Sequence, residues 1–240
     1  MLTTDTERDV ERYTIEIDRL SAQDTVRWAI ERYGPELVLA SSFAAEDVVL
    51  IDLAAEVGRP IRVVTLDTGR LHQETYDVMD AVREKYGLAI DVFSPRADDV
   101  QRMVTVKGLN LFYRSIEERK ECCGVRKVEP LRRALAGATA WMTGLRREQS
   151  MTRSELRSLE WDAGNRLPKV NPLRDWTWDD VWRHIRAHNV PYNALHDRGF
   201  TSIGCAPCTR AIGAGDDLRA GRWWWEHPDT KECGLHVRKP

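Results

Sequence analysis

The chain has 240 residues, 42% hydrophobic and 31% charged, enough to bury a core as one large domain or a domain with an appendage. Its formal net charge of −2 provides no basic excess that would favour nucleic acid or an anionic membrane as a partner. The N-terminal segment has no apolar leader, and no stretch approaches 18 apolar residues. We therefore expect a cytoplasmic protein that is not exported and does not enter a membrane.

Short apolar segments alternate with helical ones along the first two thirds of the chain. Residues 5–33 are predicted to be helical up to Gly34, and further helices are predicted at 46–57, 73–86 and 178–188. Strands are predicted at 37–40, 61–66, 90–93 and 139–143. This order indicates α/β architecture, a parallel twisted sheet flanked by helices. Ligands bind at the carboxyl ends of such strands, which directs attention to the loops 41–46, 67–70 and 144–147.

The regular alternation stops after Arg153. We interpret 1–212 as the α/β domain and 213–240 as a C-terminal tail that is laid over the functional site or is mobile above it. Within the tail, the run Trp223-Trp224-Trp225 is interpreted as packing against the core.

Four of the five cysteines form two pairs. Cys122 and Cys123 are adjacent, whereas Cys205 and Cys208 form a CxxC motif. Four thiolates are the usual complement of a [4Fe–4S] cluster or of a structural zinc ion, and buried or redox-active thiols are the third interpretation. A bulky cluster accommodates two adjacent ligands more readily than a small tetrahedral ion does.

The fifth cysteine, Cys233, stands apart in KECGLH, near the cationic residues Lys231 and Arg238. Neighbouring cations lower the pKa of a thiol, and Gly234 allows the segment to bend. The local chemistry therefore permits a nucleophile, although a surface cysteine of no consequence remains the alternative.

Taken together, these motifs resemble the assimilatory adenylyl-sulfate reductases of the thioredoxin-dependent sulfonucleotide reductase family. The resemblance is carried, in chain order, by SSFAAEDVVL (41–50), TLDTGRLHQETY (65–76), KECCGVRKVEPL (120–131), TGLRREQSMTR (143–153), NPLRDWTW (171–178), SIGCAPCTRAI (202–212), RAGRWWWE (219–226) and ECGLH (232–236). One departure lies at Phe43-Ala44-Ala45, where close relatives often carry a glycine. The same loop lacks the SGGxDS pattern of ATP pyrophosphatases.

The resemblance implies an adenine-nucleotide α-hydrolase-like fold, a [4Fe–4S] cluster on the four paired cysteines and Cys233 as the nucleophile. The implied substrate is adenosine 5′-phosphosulfate, and the implied reductant is thioredoxin or glutaredoxin. The residues expected to contact the phosphosulfate are Lys127, Arg219, Arg222 and His236.

Further polar residues are expected to bind the nucleotide. The candidates for ribose and base are Ser41, Ser42, Asp67, Thr68 and Gly69, and those for an anion are Arg146 and Arg147. The remaining histidines show no pattern that distinguishes them from structural ones.

Three alternatives stay open at this point. They are the same reaction on the 3′-phosphorylated nucleotide, a tRNA-thiolating enzyme and a non-catalytic zinc module. The oligomeric state, including a homo-oligomer, is also open.

Overall fold

The computed structural model describes residues 5–150, 153–213, 215–227, 231 and 234–235. Cys233 and His236 therefore lie outside the described residues. In the part described, no helix is both long and apolar enough to cross a bilayer.

Eight α-helices and six strands are assigned within the described ranges. The helices are α1 Glu7–Ile17, α2 Ala22–Tyr33, α3 Ala45–Val57, α4 Gln73–Tyr86, α5 Ala97–Lys107, α6 Ile116–Cys123, α7 Glu129–Ala134 and α8 Trp178–Ala187. The strands are β1 Leu37–Ser41, β2 Arg62–Leu66, β3 Ile90–Phe93, β4 Ala140–Met142, β5 Leu159–Asp162 and β6 Leu167–Val170.

The strands form one sheet in the order β3-β2-β1-β4-β6-β5. The pairs β1–β2, β1–β4 and β4–β6 are parallel, whereas β5–β6 is antiparallel. All residues of β4 and β6 and nearly all of β1 are buried, as expected for parallel strands covered on both faces. The predicted parallel sheet flanked by helices is confirmed.

Three parts of the sequence interpretation need correction. Helices α5, α6 and α7 were not predicted, and the last two are only eight and six residues long. The helical stretch at 5–33 is two helices, because Ser21 acts as an N-cap that accepts a hydrogen bond from the Asp24 N–H and starts α2 afresh. The region after Arg153 also contains two strands, β5 and β6, that the periodicity did not reveal. Their runs of four residues include lysine, proline and acidic residues, which obscure the apolar pattern.

The chain divides into two compact units, each assembled from separate segments. The first unit comprises Met1–Thr65, Glu74–Asp91 and Gly137–Ala194, and the second comprises Leu66–Gln73, Val92–Ala136 and Leu195–Pro240. The first contains most of the sheet with α1 to α4 and α8. The second contains α5 to α7 and the irregular C-terminal segment, so the described residues of 213–240, predicted as a tail, belong to the second unit.

Candidate functional site

In the first unit, the turn after β1 is tied to the start of α3. The Ser42 N–H and hydroxyl both donate to Asp47 Oδ2, at 2.5 and 2.7 Å, and Ser41 Oγ accepts from the Phe43 N–H at 3.1 Å. Phe43 is buried with φ of 58°, a left-handed conformation that favours glycine. These hydrogen bonds fix the backbone of the turn. Ser42 lies in the predicted loop 41–46, and Ser41 is the last residue of β1.

Burial raises the pKa of Asp47 to about 6. The hydrogen bonds from Ser42 act in the opposite direction, and the neighbouring Glu46 adds to the rise. The pKa of this carboxyl group at the start of α3 therefore lies well above its ordinary value.

Arg146 and Arg147 are both held by carboxylates in this unit. The buried Arg146 guanidinium pairs with Glu46 at 2.9 Å and with Glu148 at 2.7 Å. Arg147 pairs with Asp175 and donates to the Leu156 carbonyl at 2.9 Å. An incoming anion would have to compete with these acids, and the anion-binding role of both arginines stays a prediction.

In the second unit, the turn after β2 lies against a cysteine. Asp67 Oδ1 accepts from the Gly69 N–H at 2.8 Å, and Gly69 has φ of 67°, which allows the tight turn. The Thr68 hydroxyl is 3.3 Å from Cys205 Sγ, and the Thr68 carbonyl accepts from Arg126 at 2.6 Å. The predicted nucleotide turn is therefore also part of the surroundings of the thiols.

The four paired cysteines converge on one pocket of the second unit. They are free thiols, each 8–9% exposed. Besides the four cysteines, the pocket is lined by Arg70, Phe112, Arg119, Arg126, Lys127 and Pro207. Two thiol pairs that are about 80 positions apart in the sequence thus meet beside four cationic side chains.

Local backbone geometry explains how adjacent cysteines share this pocket. Cys122 and Cys123 end α6, and the chain continues without a break through a π-helical turn, Gly124–Val128, into α7. A π turn widens the helix and is frequent at functional sites. On the other side, a 3₁₀ turn at Ala206–Cys208 presents the CxxC pair, and the Ala206 N–H donates to the Arg70 carbonyl at 2.8 Å.

The four thiols differ in their tendency to ionise. Burial acts to raise the pKa of Cys205, but Lys127, the hydrogen bond with Thr68, Arg222 and Arg126 outweigh it, so the pKa is lowered. Burial and the neighbouring Cys205 raise the pKa of Cys208 to about 12, and burial raises that of Cys122. Four thiolates at such short range need a compensating cationic charge.

This donor set fits the cluster implied by the resemblance. Four buried thiols face one pocket, α6 and its π turn direct an adjacent pair into it, and nearby cations offset the negative charge of thiolate ligands. The same four sulfur donors also suit zinc.

Of the three described cations that were expected to contact the phosphosulfate, two lie near the thiols. Lys127 lines the pocket, and the buried Arg222 lowers the pKa of Cys205. Arg222 donates to the Ile203 carbonyl at 3.3 Å and lies against Gly204, where a Cβ would come within 2.5 Å of its guanidinium. These contacts with the backbone therefore hold the Arg222 side chain inside the second unit.

Arg219 contacts the C-terminal segment of the chain. It donates to the Lys231 carbonyl at 2.6 Å, which ties the 219–222 turn to the segment two residues before Cys233. Trp223 is 1% exposed and packs with the four cysteines, which confirms the packing interpretation for this residue.

Sequence reasoning missed three residues of this site. Arg119 and Arg126 line the pocket, and the carboxylate of Glu226 holds Arg119 at 2.7 and 2.9 Å. Arg119 precedes Cys122 by three positions and Arg126 follows Cys123 by three, a spacing that places side chains on one helix face. This spacing from the cysteines could have identified both arginines, whereas no sequence pattern around Glu226 indicates its contact with Arg119.

A parallel sheet covered by helices, with a pocket of four thiols among cations, defines an α/β protein of the nucleotide-binding type with a sulfur-ligand site. A family model for the phosphoadenosine phosphosulfate reductase domain matches residues 36–211, and the chain belongs to this family. The expected family resemblance is thereby confirmed.

Two bacterial relatives are identical to this chain at more than half of the aligned positions. A protein of Allochromatium vinosum called adenosine 5′-phosphosulfate reductase is 56% identical over 203 residues, 85% of this chain and 79% of the relative. One of Burkholderia cepacia with the same name is 58% identical over 198 residues, 82% of this chain and 79% of the relative.

The solved structures agree on the fold. The phosphoadenylyl-sulfate reductase of Candida auris superposes with a TM-score of 0.74 at 25% identity, covering 88% of this chain and 100% of the other. Yeast FAD synthetase superposes with a TM-score of 0.57 at 16% identity over 88% of this chain and 71% of the other. The fold is therefore adenine-nucleotide α-hydrolase-like, as expected.

Proposed function

We propose that this protein reduces adenosine 5′-phosphosulfate to sulfite and AMP in assimilatory sulfate reduction, with Cys233 as the nucleophile. The observation that carries the proposal is the convergence of Cys122, Cys123, Cys205 and Cys208 on one cation-lined pocket. It occurs in a chain more than half identical to several proteins named for this activity.

The four converging cysteines would hold a [4Fe–4S] cluster. When bound, the cluster supplies a compact charged group that organises the surrounding cations, while the two reducing electrons come from an external dithiol. Lys127 and Arg222 contribute positive charge beside the thiols, and we assign them, with Arg219 and His236, to the phosphosulfate.

Chain connectivity supports the role of Cys233. Lys231 accepts a hydrogen bond from Arg219, and Gly234 lies beside Val128, where a Cβ would be 3.7 Å from Val128 Cγ2. The residues on either side of Cys233 in the sequence thus contact the segments that carry Arg219 and Lys127.

The reaction needs the nucleotide substrate and one external dithiol, which supplies the two reducing electrons. The Cys233 thiolate attacks the sulfate sulfur, an S–S bond forms, the bond from sulfur to the bridging oxygen breaks, and AMP leaves with the electron pair. A dithiol of the thioredoxin or glutaredoxin class then releases sulfite and regenerates Cys233, and it is itself oxidised to a disulfide. The polar groups of Ser41, Ser42, Asp67, Thr68 and Gly69 are assigned to ribose and base.

The decisive experiment follows the covalent adduct. Incubating the protein with adenosine 5′-phosphosulfate and no reductant should add about 80 Da to the peptide that contains Cys233 and release one AMP per adduct. Thioredoxin should then release the added group as sulfite. The Cys233→Ser variant should give no adduct and no turnover while it keeps its bound metal.

Matched variants separate the nucleophile from the metal ligands. Cys205→Ser and Cys208→Ser should lose iron and sulfide, of which the native protein should hold about four each per chain. An adduct on Cys205, or substantial activity in Cys233→Ser, contradicts the mechanism. Stoichiometric zinc without iron contradicts the cluster and favours the zinc module.

The remaining assignments follow from the same proposal. The protein acts in the cytoplasm, on a nucleotide substrate and a small dithiol protein. Neither nucleic acid nor a membrane is a partner, because the net charge of −2 offers no basic excess.

A further inference from the structure

Two histidines and two carboxylates meet in the first unit, on the facing helices α3 and α8. Asp52 and Glu56 lie one turn apart on α3, and His184 on α8 lies one turn before His188 at its C-cap. Residues four positions apart share a helix face, so each helix presents a pair of potential ligands to the other. None of the four takes part in the proposed reaction.

We propose that Asp52, Glu56, His184 and His188 form a binding site for a divalent transition-metal ion of the zinc type. His184 Nε2 lies 2.8 Å from Asp52 Oδ2, and His188 Nδ1 lies 3.4 Å from the same oxygen and 3.2 Å from Glu56 Oε1. Ligands about 2.0–2.1 Å from a tetrahedral ion are about 3.3 Å from one another. The three distances are close to that separation, so small side-chain adjustments admit an ion.

The two imidazole rings are in contact, and one of them has to turn about its side-chain bonds before both can direct a nitrogen to the same ion. They stack with centroids 4.1 Å apart and planes within 11°. The coordinating atoms of His184, His188 and Asp52 all lie within 4.8 Å of one another. Three potential ligands from two helices therefore lie within reach of one another, and Glu56 supplies the fourth.

Residues of α4 hold the central carboxylate. Asp52 Oδ1 accepts from the Tyr86 hydroxyl at 2.7 Å, which leaves Oδ2 directed to the imidazoles. Such outer partners fix the orientation of a ligand and are typical of metal sites.

Charge and access also suit a dication. Two carboxylates would balance its charge, while the neighbouring Lys85 Nζ, 4.0 Å from Asp52 Oδ1, is anchored by the carbonyls of His188 and Asn189. Asp52 is only 8% exposed, whereas His188 and Glu56 are 40% and 43% exposed and leave an entry path. Imidazole with carboxylate favours zinc over magnesium or calcium.

The test measures zinc on the protein loaded with its cysteine-bound metal. Equilibrium dialysis against zinc chloride under anaerobic conditions, followed by metal analysis, should show one zinc per chain beyond the metal on the cysteines. His188→Gln and Glu56→Gln should weaken this binding about tenfold or more. Both residues are half exposed, so the variants should keep their helix content by circular dichroism.

His227→Gln is the matched control, because His227 is exposed and belongs to the second unit. It should bind zinc as the native protein does, and a hundredfold excess of magnesium should not displace the ion. The proposal is wrong if no additional zinc binds, or if His188→Gln and the native protein bind it equally well.

Cobalt(II) provides a second readout that separates the two kinds of site. Bound to nitrogen and oxygen, it should show visible d–d bands without the thiolate-to-cobalt charge transfer that cysteine ligands produce. A spectrum with thiolate charge transfer alone would overturn the assignment. Because the readouts are metal content and spectrum, the result does not depend on the proposed reductase activity.

Discussion

Arg119 and Glu226 form a two-pronged ion pair beside the thiol pocket. The guanidinium donates to both carboxylate oxygens, the two side chains are 0% and 4% exposed, and the Trp223 ring lies 4.6 Å from the guanidinium carbon. Removing one partner of such a pair leaves an uncompensated buried charge. This pair therefore matters more to the second unit than the exposed pairs of the helices.

Glu226→Ala should accordingly lower the free energy of unfolding by about 3–5 kcal/mol. The control is Arg102→Ala, which breaks a pair whose members are 71% and 38% exposed and should cost about 0–1 kcal/mol. Urea unfolding at equal metal content measures both. Similar losses for the two variants would contradict the assigned importance of the buried pair.

Asp47 makes stability depend on pH in an unusual direction. Its pKa in the folded protein is about 6, above the value of about 3.9 expected in the unfolded chain. Between these values the folded state binds more protons, so this group contributes stability that is fully present below pH 4 and lost as pH rises through 6.

Comparison with Asp47→Asn isolates this contribution. The difference in unfolding free energy, native minus variant, should fall by about 2–3 kcal/mol between pH 4 and pH 7. Urea unfolding across that range measures it, and Asp179→Asn, an exposed acid in the first turn of α8, serves as the control. A difference that is constant, or that rises with pH, would show that Asp47 ionises normally.

At the scale of elements, the thiol pocket depends on a close contact between two irregular segments. The Arg210 N–H donates to the Gly221 carbonyl at 3.1 Å, Thr209 and Arg222 form an antiparallel bridge, and the Trp223 N–H donates to the Cys208 carbonyl at 3.1 Å. A Cβ on Gly221 would collide with the Arg210 carbonyl oxygen and lie 3.0 Å from Ile212 Cγ2. Glycine is needed here for close approach of two backbones.

Gly221→Ala should therefore separate the two segments and lower stability by about 1–3 kcal/mol. Cys208 and Arg222 take part in the backbone contacts between these two segments, so the variant should also lose bound metal faster on exposure to a chelator. Gly124→Ala is the control, because nothing lies within 4 Å of its added Cβ; it should change stability by less than about 1 kcal/mol. Native stability and metal retention in Gly221→Ala would contradict the close-contact argument.

Substrate choice is a property of the whole chain, and its relatives differ in the substrate for which they are named. The family model is named for the 3′-phosphorylated substrate, as is the Candida auris structure at 25% identity, whereas the bacterial relatives above 50% identity are named for adenosine 5′-phosphosulfate. A 3′-phosphate adds about two negative charges. Arg119, Arg126, Arg146 and Arg147 are all engaged by carboxylates or carbonyls.

We therefore expect kcat/KM for adenosine 5′-phosphosulfate to exceed that for the 3′-phosphorylated nucleotide by at least about tenfold. Steady-state release of sulfite from each nucleotide at equal dithiol concentration measures the ratio. Equal efficiencies would overturn the specificity while leaving the covalent mechanism intact.

Local sequence determined several elements of this protein and the residue types of its candidate site. Strands β1 and β2 are marked by apolar runs, α4 by an amphipathic pattern and α8 by its N-cap. Each of these signals depends on residues close together in the chain, so it can be recognised without knowledge of the fold. The two cysteine pairs and the isolated Cys233 can likewise be recognised from the order of residues alone. The short, polar strands β5 and β6 escaped because pairing with β4 and with each other, more than composition, makes them strands.

Tertiary structure alone decided which distant groups meet. Thr68 lies beside Cys205, Glu226 holds Arg119, and His184 reaches Asp52, contacts that link positions more than 100 residues apart. No local preference encodes such pairs, because each forms only when the helices, turns and strands that carry its two members pack together. The sequence thus specified thiols, cations and a nucleotide-binding sheet, and folding determined that four of the thiols face four of the cations in one pocket.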